Sequence, residues 1–400
     1  MWLCKICENE QEEPDITFPS LPVCHHYHKN NENIYLKDLS MGQCKNCLTI
    51  QLTNPFPAEQ LKPKYSWITC TEPEEHLDEL VEKLISLPNI ERNSRIIGVS
   101  FKEDSTLLRF NKFGFNNTWR IDEKSLGIND EVYSVETVQE KLDHNTVSRI
   151  KNKSGLADIL IARHIIEHAN NPKQFLESCK DLIRDDGYIV FEIPDCEYAL
   201  EKRDYTTIWE EHTLYFTRHT FKQMFSLNQL ELVSFKTIPY AQEMSHIVIA
   251  KKNKDIKDLD FDSALLKKEK ELSEFFNDYS KIKIDIHGYL LKIKKDYGKI
   301  ALFGAGHMGC MFLNIMGLDS YIDYVVDDNP RLKGMAMPGS DKEIISSSEM
   351  KKYNIKFCLL SVSEIGIKKV FQNNKEYLST GGVFKSIFPG SEYAMDLNSQ

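Results

Sequence analysis

The sequence predicts an α/β protein in three parts: a small cysteine-rich segment, a doubly wound and mostly parallel sheet domain, and a second, smaller α/β domain. Three observations predict it. Strand and helix patterns alternate from Arg95 to Lys252, a G-x-G-x-x-G turn reopens the alternation near Lys299, and two C-x-x-C pairs lie before Pro57. Such β/α alternation points to a parallel sheet covered by helices. The expected bounds are 1–60, 61–252 and 253–400.

Each element has a local reason. "EPEEHLDELVEKLISL" repeats Leu77, Leu80, Val81, Leu84 and Ile85 on one helical face behind an acidic start. "SRIIGVSF" reads as a strand and "TLLRFNKF" as a helix. "NTWRIDEK" is a second strand ending in acids, and "LADILIARHII" a third, led by Asp158. "NPKQFLESCKDLIRDDG" is a helix expected to stop at Gly187. "YIVFEIPD" is a strand, "FTRHTFKQMFSLNQL" a helix, and "LELVSFKTI" and "SHIVIAKK" are late strands. A single long helix is expected from Phe261 to Lys295, a connecting helix or a dimerising coiled coil. The strands "KIALF", "YIDYVVDD", "KFCLLSVS" and "GGVFKSIFP" then build the last domain.

Composition narrows the class. The chain has 400 residues, 41% hydrophobic and 28% charged, which suits several globular cores. No apolar run approaches the ~20 residues that span a bilayer, so no membrane partner is expected. The start "MWLCKICENEQEEPD" lacks the basic and apolar regions of a signal peptide, and a cytoplasmic location is the expectation. A net charge of −10 without a long basic block argues against nucleic acid as a partner. Ten cysteines in such a chain argue against a disulfide framework.

Four of those cysteines form a pattern. Cys4, Cys7, Cys44 and Cys47 make two knuckles whose spacing lets four thiolates face one tetrahedral ion, a structural zinc; chance pairing or a redox pair is the alternative. Cys24, His25, His26 and His28 are spare candidate ligands crowded into one stretch. "GAGHMG" sets Gly304, Gly306 and Gly309 between a strand and a helix, with Asp327 or Asp328 at the next strand end. That arrangement suits a dinucleotide, or only tight strand–helix packing. "TIWEEHTLYF" gathers Glu210, Glu211 and His212 after the "FEIPD" strand, where a sheet of this type binds ligands. A histidine beside a carboxylate suits a general base, although a solvated charge cluster would read the same way. "RHIIEH" spaces His164 and His168 for one helical face, as a metal pair or as core packing.

Taken in order, these features resemble the three-domain sugar C-methyltransferases, over nearly the whole chain. The carriers are the cysteine knuckles, "ARHIIEH", "IWEEHTLYF" and "GAGHMG…VVDDNPRLKG". The resemblance implies a zinc-binding N-terminal segment, a Rossmann-like class I methyltransferase domain and a second, smaller Rossmann-like domain. It implies S-adenosylmethionine as methyl donor and a nucleotide-linked 4-keto deoxysugar as substrate, in deoxysugar or polysaccharide biosynthesis. Glu211 and His212 match its central motif, with His212 as the base that forms an enolate; His168 and Tyr65 match further active-site positions. Phe101, Asp104 and Ser105 match its cofactor turn, Asp122 matches the acid after the second strand, and Asp158 is grouped with them. Phe101 and Ser105 stand where the family has glycines, and Trp209 stands for its tyrosine. The alternatives are an NAD-dependent sugar oxidoreductase using the GAGHMG turn and a non-catalytic binder of a sugar nucleotide. A monomer or weak homodimer is expected.

Overall fold

The computed structural model describes residues 1–29, 32–68, 73–130, 132–240, 243–253, 255 and 263–397. The chain forms two compact units: Met1–Pro14, Met41–Glu197 and Glu211–Lys270 make the first, and Asp15–Ser40, Tyr198–Glu210 and Glu271–Gln400 the second. The segment expected over 1–60 is thus divided: its four knuckle cysteines join the first unit, and 15–40 joins the second.

In chain order the strands are β1 (Trp2–Leu3), β2 (Glu10–Gln11), β3 (Ile16–Pro22), β4 (Leu36–Gln43), β5 (Ile50–Leu52), β6 (Ile96–Gly98), β7 (Thr118–Arg120), β8 (Ala157–Arg163), β9 (Ile183–Asp195), β10 (Leu214–Tyr215), β11 (Leu230–Pro239), β12 (Met244–Lys252), β13 (Lys299–Phe303), β14 (Ile322–Val326), β15 (Ile344–Ile345), β16 (Ile355–Leu360) and β17 (Val383–Ser386). The helices are α1 (Leu77–Ile85), α2 (Asp104–Lys112), α3 (Glu123–Leu126), α4 (Val135–Lys141), α5 (His144–Ser154), α6 (Pro172–Leu182), α7 (Glu197–Glu201), α8 (Arg218–Leu227), α9 (Ser263–Glu271), α10 (Glu274–Tyr297), α11 (His307–Met316), α12 (Glu364–Asn373) and α13 (Lys375–Ser379).

Unit one is built on a six-stranded sheet in the order β11-β12-β9-β8-β6-β7. The β7, β6, β8 and β9 pairings are parallel, whereas β12 and β11 add antiparallel. Side chains alternate across a strand, and here both faces are covered. Ile159 and Ile161 of β8 pack with Leu77, Val81 and Leu84 of α1 and with Leu107 and Phe110 of α2. Leu160 and Ala162 face the other way, into a cluster with Phe175 and Cys179 of α6 and Phe221 and Met224 of α8. This is the doubly wound, Rossmann-like arrangement the alternation predicts. The helix starts are capped: Asn171 accepts from the Gln174 amide at 3.1 Å ahead of Pro172, and Thr217 exchanges bonds with Thr220.

One boundary differs from expectation. Helix α6 ends at Leu182, and Ile183 already pairs with Ala157 in the sheet, so Gly187 lies inside β9 and does not cap the helix. A Cβ there would meet the Ala157 and Asp158 carbonyls at 3.1 Å, so the glycine permits close strand approach.

Unit two carries a five-stranded parallel sheet, β15-β14-β13-β16-β17. The expected long helix is two helices, α9 and α10, interrupted at Leu272 and Ser273; Phe261, its expected start, lies outside the described residues. The turn after β13 explains the glycine motif. Gly304 has φ +105°, and a Cβ on it would lie 2.6 Å from Ser361 Oγ. Gly309 brings its Cα to the Gly304 carbonyl, where a Cβ would stand at 2.5 Å. Among the described residues no helix is long and apolar enough to cross a membrane.

Because Gly304 combines a left-handed backbone with a filled neighbourhood, Gly304→Ala is expected to destabilise the protein by about 1–3 kcal/mol. A lowered urea midpoint with native circular dichroism retained checks this; an unchanged midpoint would show that the turn tolerates a side chain.

Candidate active site

The carboxyl ends of β6, β8 and β9 hold a dense group of buried charges. After β6 the chain makes a 3-10 turn, Phe101–Glu103, capped by Ser100, whose hydroxyl accepts the Lys102 amide at 3.1 Å. Glu103 folds back into that turn with no solvent exposure. Its carboxylate accepts the Ser100 amide at 2.5 Å and the Arg163 amide at 2.7 Å. Burial pushes this carboxyl up to about 7, against the pull of those bonds and of Arg163. Gly98 is the matching small residue: a Cβ on it would lie 2.7 Å from Glu103 Cβ.

Arg163, at the end of β8, continues the network. Its Nε donates to Glu192 at 2.5 Å and its Nη1 to the Lys102 carbonyl at 3.0 Å. Glu192, fully buried in β9, also takes the Tyr240 hydroxyl, lies 3.0 Å from His76 Nε2 and 3.5 Å from His164 Nε2, and meets Ser245 Oγ at 3.4 Å. Although burial opposes the charge, these neighbours hold Glu192 well below the usual carboxylate range.

The expected cofactor residues are placed unequally. Phe101 turns its ring outward, 39% exposed, with the Tyr133 ring 6.1 Å away at 71°. Asp104 opens α2 and pairs with Arg120 at 2.8 Å, and Ser105 follows it in that helix. Asp122 caps α3 through the Ser125 amide at 2.6 Å and pairs with Lys153 at 2.7 Å; Lys153 first, then Ser125, lower it to about 2. Asp158 is misplaced for a cofactor. It stands at the amino end of β8, accepting the Arg95 amide at 2.6 Å and pairing with Arg184 at 2.9 Å, whereas ligands bind beyond the carboxyl ends of such strands.

The histidine cluster lies on the loops beyond β8. His164 and His168 do not share a helical face as their spacing predicts. His164 has φ +47° and only a 3-10 turn, Ile166–His168, follows it. The His164 ring faces Tyr240 at 3.1 Å, whereas His168 Nδ1 turns to Glu136 Oε1 at 2.5 Å. Burial disfavours the His168 cation, yet Glu136, Glu167 and Glu211 together raise its pKa above the ordinary value. The His212 ring meets the His168 ring edge-on, centroids 4.5 Å apart at 81°, with Tyr215 6.4 Å beyond. Thr213 fixes this junction: its amide and hydroxyl donate to the Glu167 carbonyl at 2.7 and 3.1 Å, and the hydroxyl also reaches the Ala169 carbonyl at 2.6 Å. Leu214 and Tyr215 then pair with β5, close to the second knuckle. Glu167, His168 and His212 bring ligand atoms within 4.8 Å of one another, as do Glu136, His168 and Glu211. Tyr65 stacks on Trp67, centroids 5.4 Å apart.

Sequence reasoning overlooked Glu136, Glu103, Arg163, Glu192, Tyr240 and His76. Glu192 carried a readable signal, an acid within the apolar run "YIVFEIP", which must be paired if the strand is central. Glu136 carried none, because the segment of α4 has no motif.

The four knuckle cysteines converge as their spacing predicts. Cys4 Sγ lies 3.5 Å from Cys47 Sγ and Cys7 Sγ lies 3.6 Å from Cys44 Sγ. Both knuckles use the same backbone device, a left-handed residue at Glu8 (φ 58°) and Leu48 (φ 60°) whose amide returns to the Cys4 or Cys44 carbonyl. For zinc–sulfur bonds of about 2.3 Å, a tetrahedral shell has edges of about 3.8 Å, so the group is sized for such an ion. In unit two, the Asp327 carboxylate accepts the Ala305 and Asn329 amides at 2.9 and 2.8 Å, so an amide of the GAGHMG turn is satisfied by the acid after β14.

Residues 74–235 match the model of a methyltransferase domain, and residues 254–389 that of a C-methyltransferase C-terminal domain. The C-methyltransferase NovU of Streptomyces niveus is 20% identical over 395 residues, covering 95% of this chain and 94% of that protein. Among solved structures, Burkholderia thailandensis 1,6-didemethyltoxoflavin-N1-methyltransferase, with 1,6-didemethyltoxoflavin and S-adenosylhomocysteine bound, aligns at 9% identity and a TM-score of 0.30, covering 45% of this chain and 77% of its own. An S-adenosylmethionine-dependent methyltransferase from Clostridium acetobutylicum aligns at 9% identity and TM-score 0.30, covering 45% and 92%. The two domain matches, in this order along one chain, make the protein a methyltransferase.

Proposed function

We propose that the protein is an S-adenosylmethionine-dependent C-methyltransferase that acts on a nucleotide-linked 4-keto deoxysugar, with His212 as the general base. The observation that supports it most is the His212–His168–Glu136 arrangement, a base edge-on to a second histidine whose Nδ1 meets a buried carboxylate at 2.5 Å. The donor's methionine and ribose would lie along the turn Ser100–Glu103 and beside Asp122. Two observations fit that placement. The Phe101 ring points out of the turn, and Asp122 stays ionised and part-exposed at the end of the second strand. When bound, S-adenosylmethionine supplies an electrophilic methyl on a sulfonium, the acceptor for a carbanion.

The chain's own residues do the rest. A ketone acidifies the neighbouring C–H bond, and the His212 imidazole takes that proton, leaving the electron pair delocalised over carbon and oxygen as an enolate. His168, whose pKa Glu136 raises against the effect of burial, would when protonated supply positive charge beside the base as charge develops on that oxygen. Glu211, next to the base and grouped with Glu136 and His168, adds a carboxylate that favours the same cation. The structural zinc is part of the same proposal: Cys4, Cys7, Cys44 and Cys47 would hold it, supported by the sulfur separations above. It would stabilise a segment too small for a core of its own.

His212→Asn is expected to slow solvent deuterium exchange into the ketone substrate by about 10²–10⁴-fold, with the thermal midpoint unchanged. Exchange at the wild-type rate would remove His212 as base, and calorimetry with no heat of S-adenosylmethionine binding to folded protein would end the methyl-transfer reading. Glu136→Gln tests the cation. The His168 pKa is raised in the folded state, so the stability from its charged pair is complete below about pH 6.5 and is lost as pH rises through the raised value. The variant is expected to lose that pH-dependent stability and to show His168 titrating lower by NMR. An unmoved titration would mean that Glu136 does not hold the charge.

A further inference from the structure

Unit two is assembled from three separate stretches of chain, and one buried cluster takes a side chain from each. Cys24 comes from 15–40, Glu210 from 198–210 and His307 from 271–400. Cys24 is 2% exposed and Glu210 0%. Their sulfur and carboxylate oxygen and the His307 ring nitrogen all lie within 4.8 Å of one another.

The details favour coordination over ordinary packing. Glu210 Oε1 accepts the Cys24 backbone amide at 2.6 Å, which fixes the carboxylate, and Oε2 lies 3.6 Å from His307 Nε2. Trp209 stacks on the His307 ring, centroids 3.6 Å apart and planes at 12°, and so sets the plane of the imidazole. The nitrogen also approaches the Ile208 carbonyl at 3.4 Å, a long contact that coordination would replace.

We propose that Cys24, Glu210 and His307 form a second metal site, separate from the cysteine knuckles, which takes a divalent ion of the zinc class through these three donors. Sulfur, nitrogen and oxygen donors together suit such an ion of borderline softness. Bonds of about 2.0–2.3 Å put tetrahedral donors about 3.3–3.8 Å apart, which brackets the Glu210–His307 separation. The site has a structural purpose. It clips together three stretches that are far apart in sequence, Cys24 and Glu210 being 186 positions apart, and closing such loops is where a metal clip stabilises most.

The test is the zinc content of the full-length chain, with anomalous difference maps taken above and below the zinc edge. An anomalous peak among Cys24, Glu210 and His307 is expected beside the one at the knuckles, and Cys24→Ser or His307→Ala should each lose about one zinc per chain. Cys44→Ser should instead lose only the knuckle ion and leave the Cys24 peak. Crystals with a peak at the knuckles alone, or folded Cys24→Ser and His307→Ala proteins with wild-type zinc content, would overturn the proposal.

Discussion

The buried carboxylate of Glu103 is the constraint on which the edge of the first sheet depends. A turn without glycines at its tip must still satisfy its amides, and this one does so internally, with Glu103 accepting the Ser100 and Arg163 amides. The cost is a carboxylate with no contact with water, which is why it holds its proton more tightly than an exposed one. Arg163 and Glu192 then carry the charge compensation across β8 and β9. A buried pair of this kind adds little net stability when whole, but losing one partner typically costs about 3–5 kcal/mol. The network therefore specifies geometry: it fixes where β6, β8 and β9 end, and hence where the loops beyond them begin.

Those loops place the histidines. His164 is held in a left-handed conformation against Tyr240 and Glu192, so the chain leaves the strand in a direction no helix would give. That departure carries His168 to Glu136 and brings the Glu167 carbonyl within reach of Thr213. The charge state of His168 thus depends on a residue from a distant helix. Three acidic neighbours, Glu136, Glu167 and Glu211, outweigh the burial of this histidine.

Much of the fold was legible in the sequence because it rests on periodicity. The near-continuous apolar run "LADILIA", buried on both faces, and the 3.6-residue repeat of α1 follow from which side chains must leave water. The knuckles were legible for a different reason, since two-residue spacing between thiols has few other uses. Asp158 was assigned to the wrong edge because an acid at a strand end gives no hint of which end the sheet uses. The stop at Gly187 failed similarly, since a glycine that admits a neighbouring strand looks like one that ends a helix.

The sequence by itself determined the two α/β sheets, the four-cysteine group and the chemistry available to "IWEEHTLYF", because these depend on local spacing and burial preference. Only the tertiary structure decided that the chain folds as two interleaved units rather than three consecutive domains. It alone brought Glu136 to His168, and Cys24, Glu210 and His307 to one another. The physical reason is range: hydrophobic period and turn chemistry act over a few residues, whereas pairing of buried charges and donor atoms depends on which distant segments the packed core brings within reach.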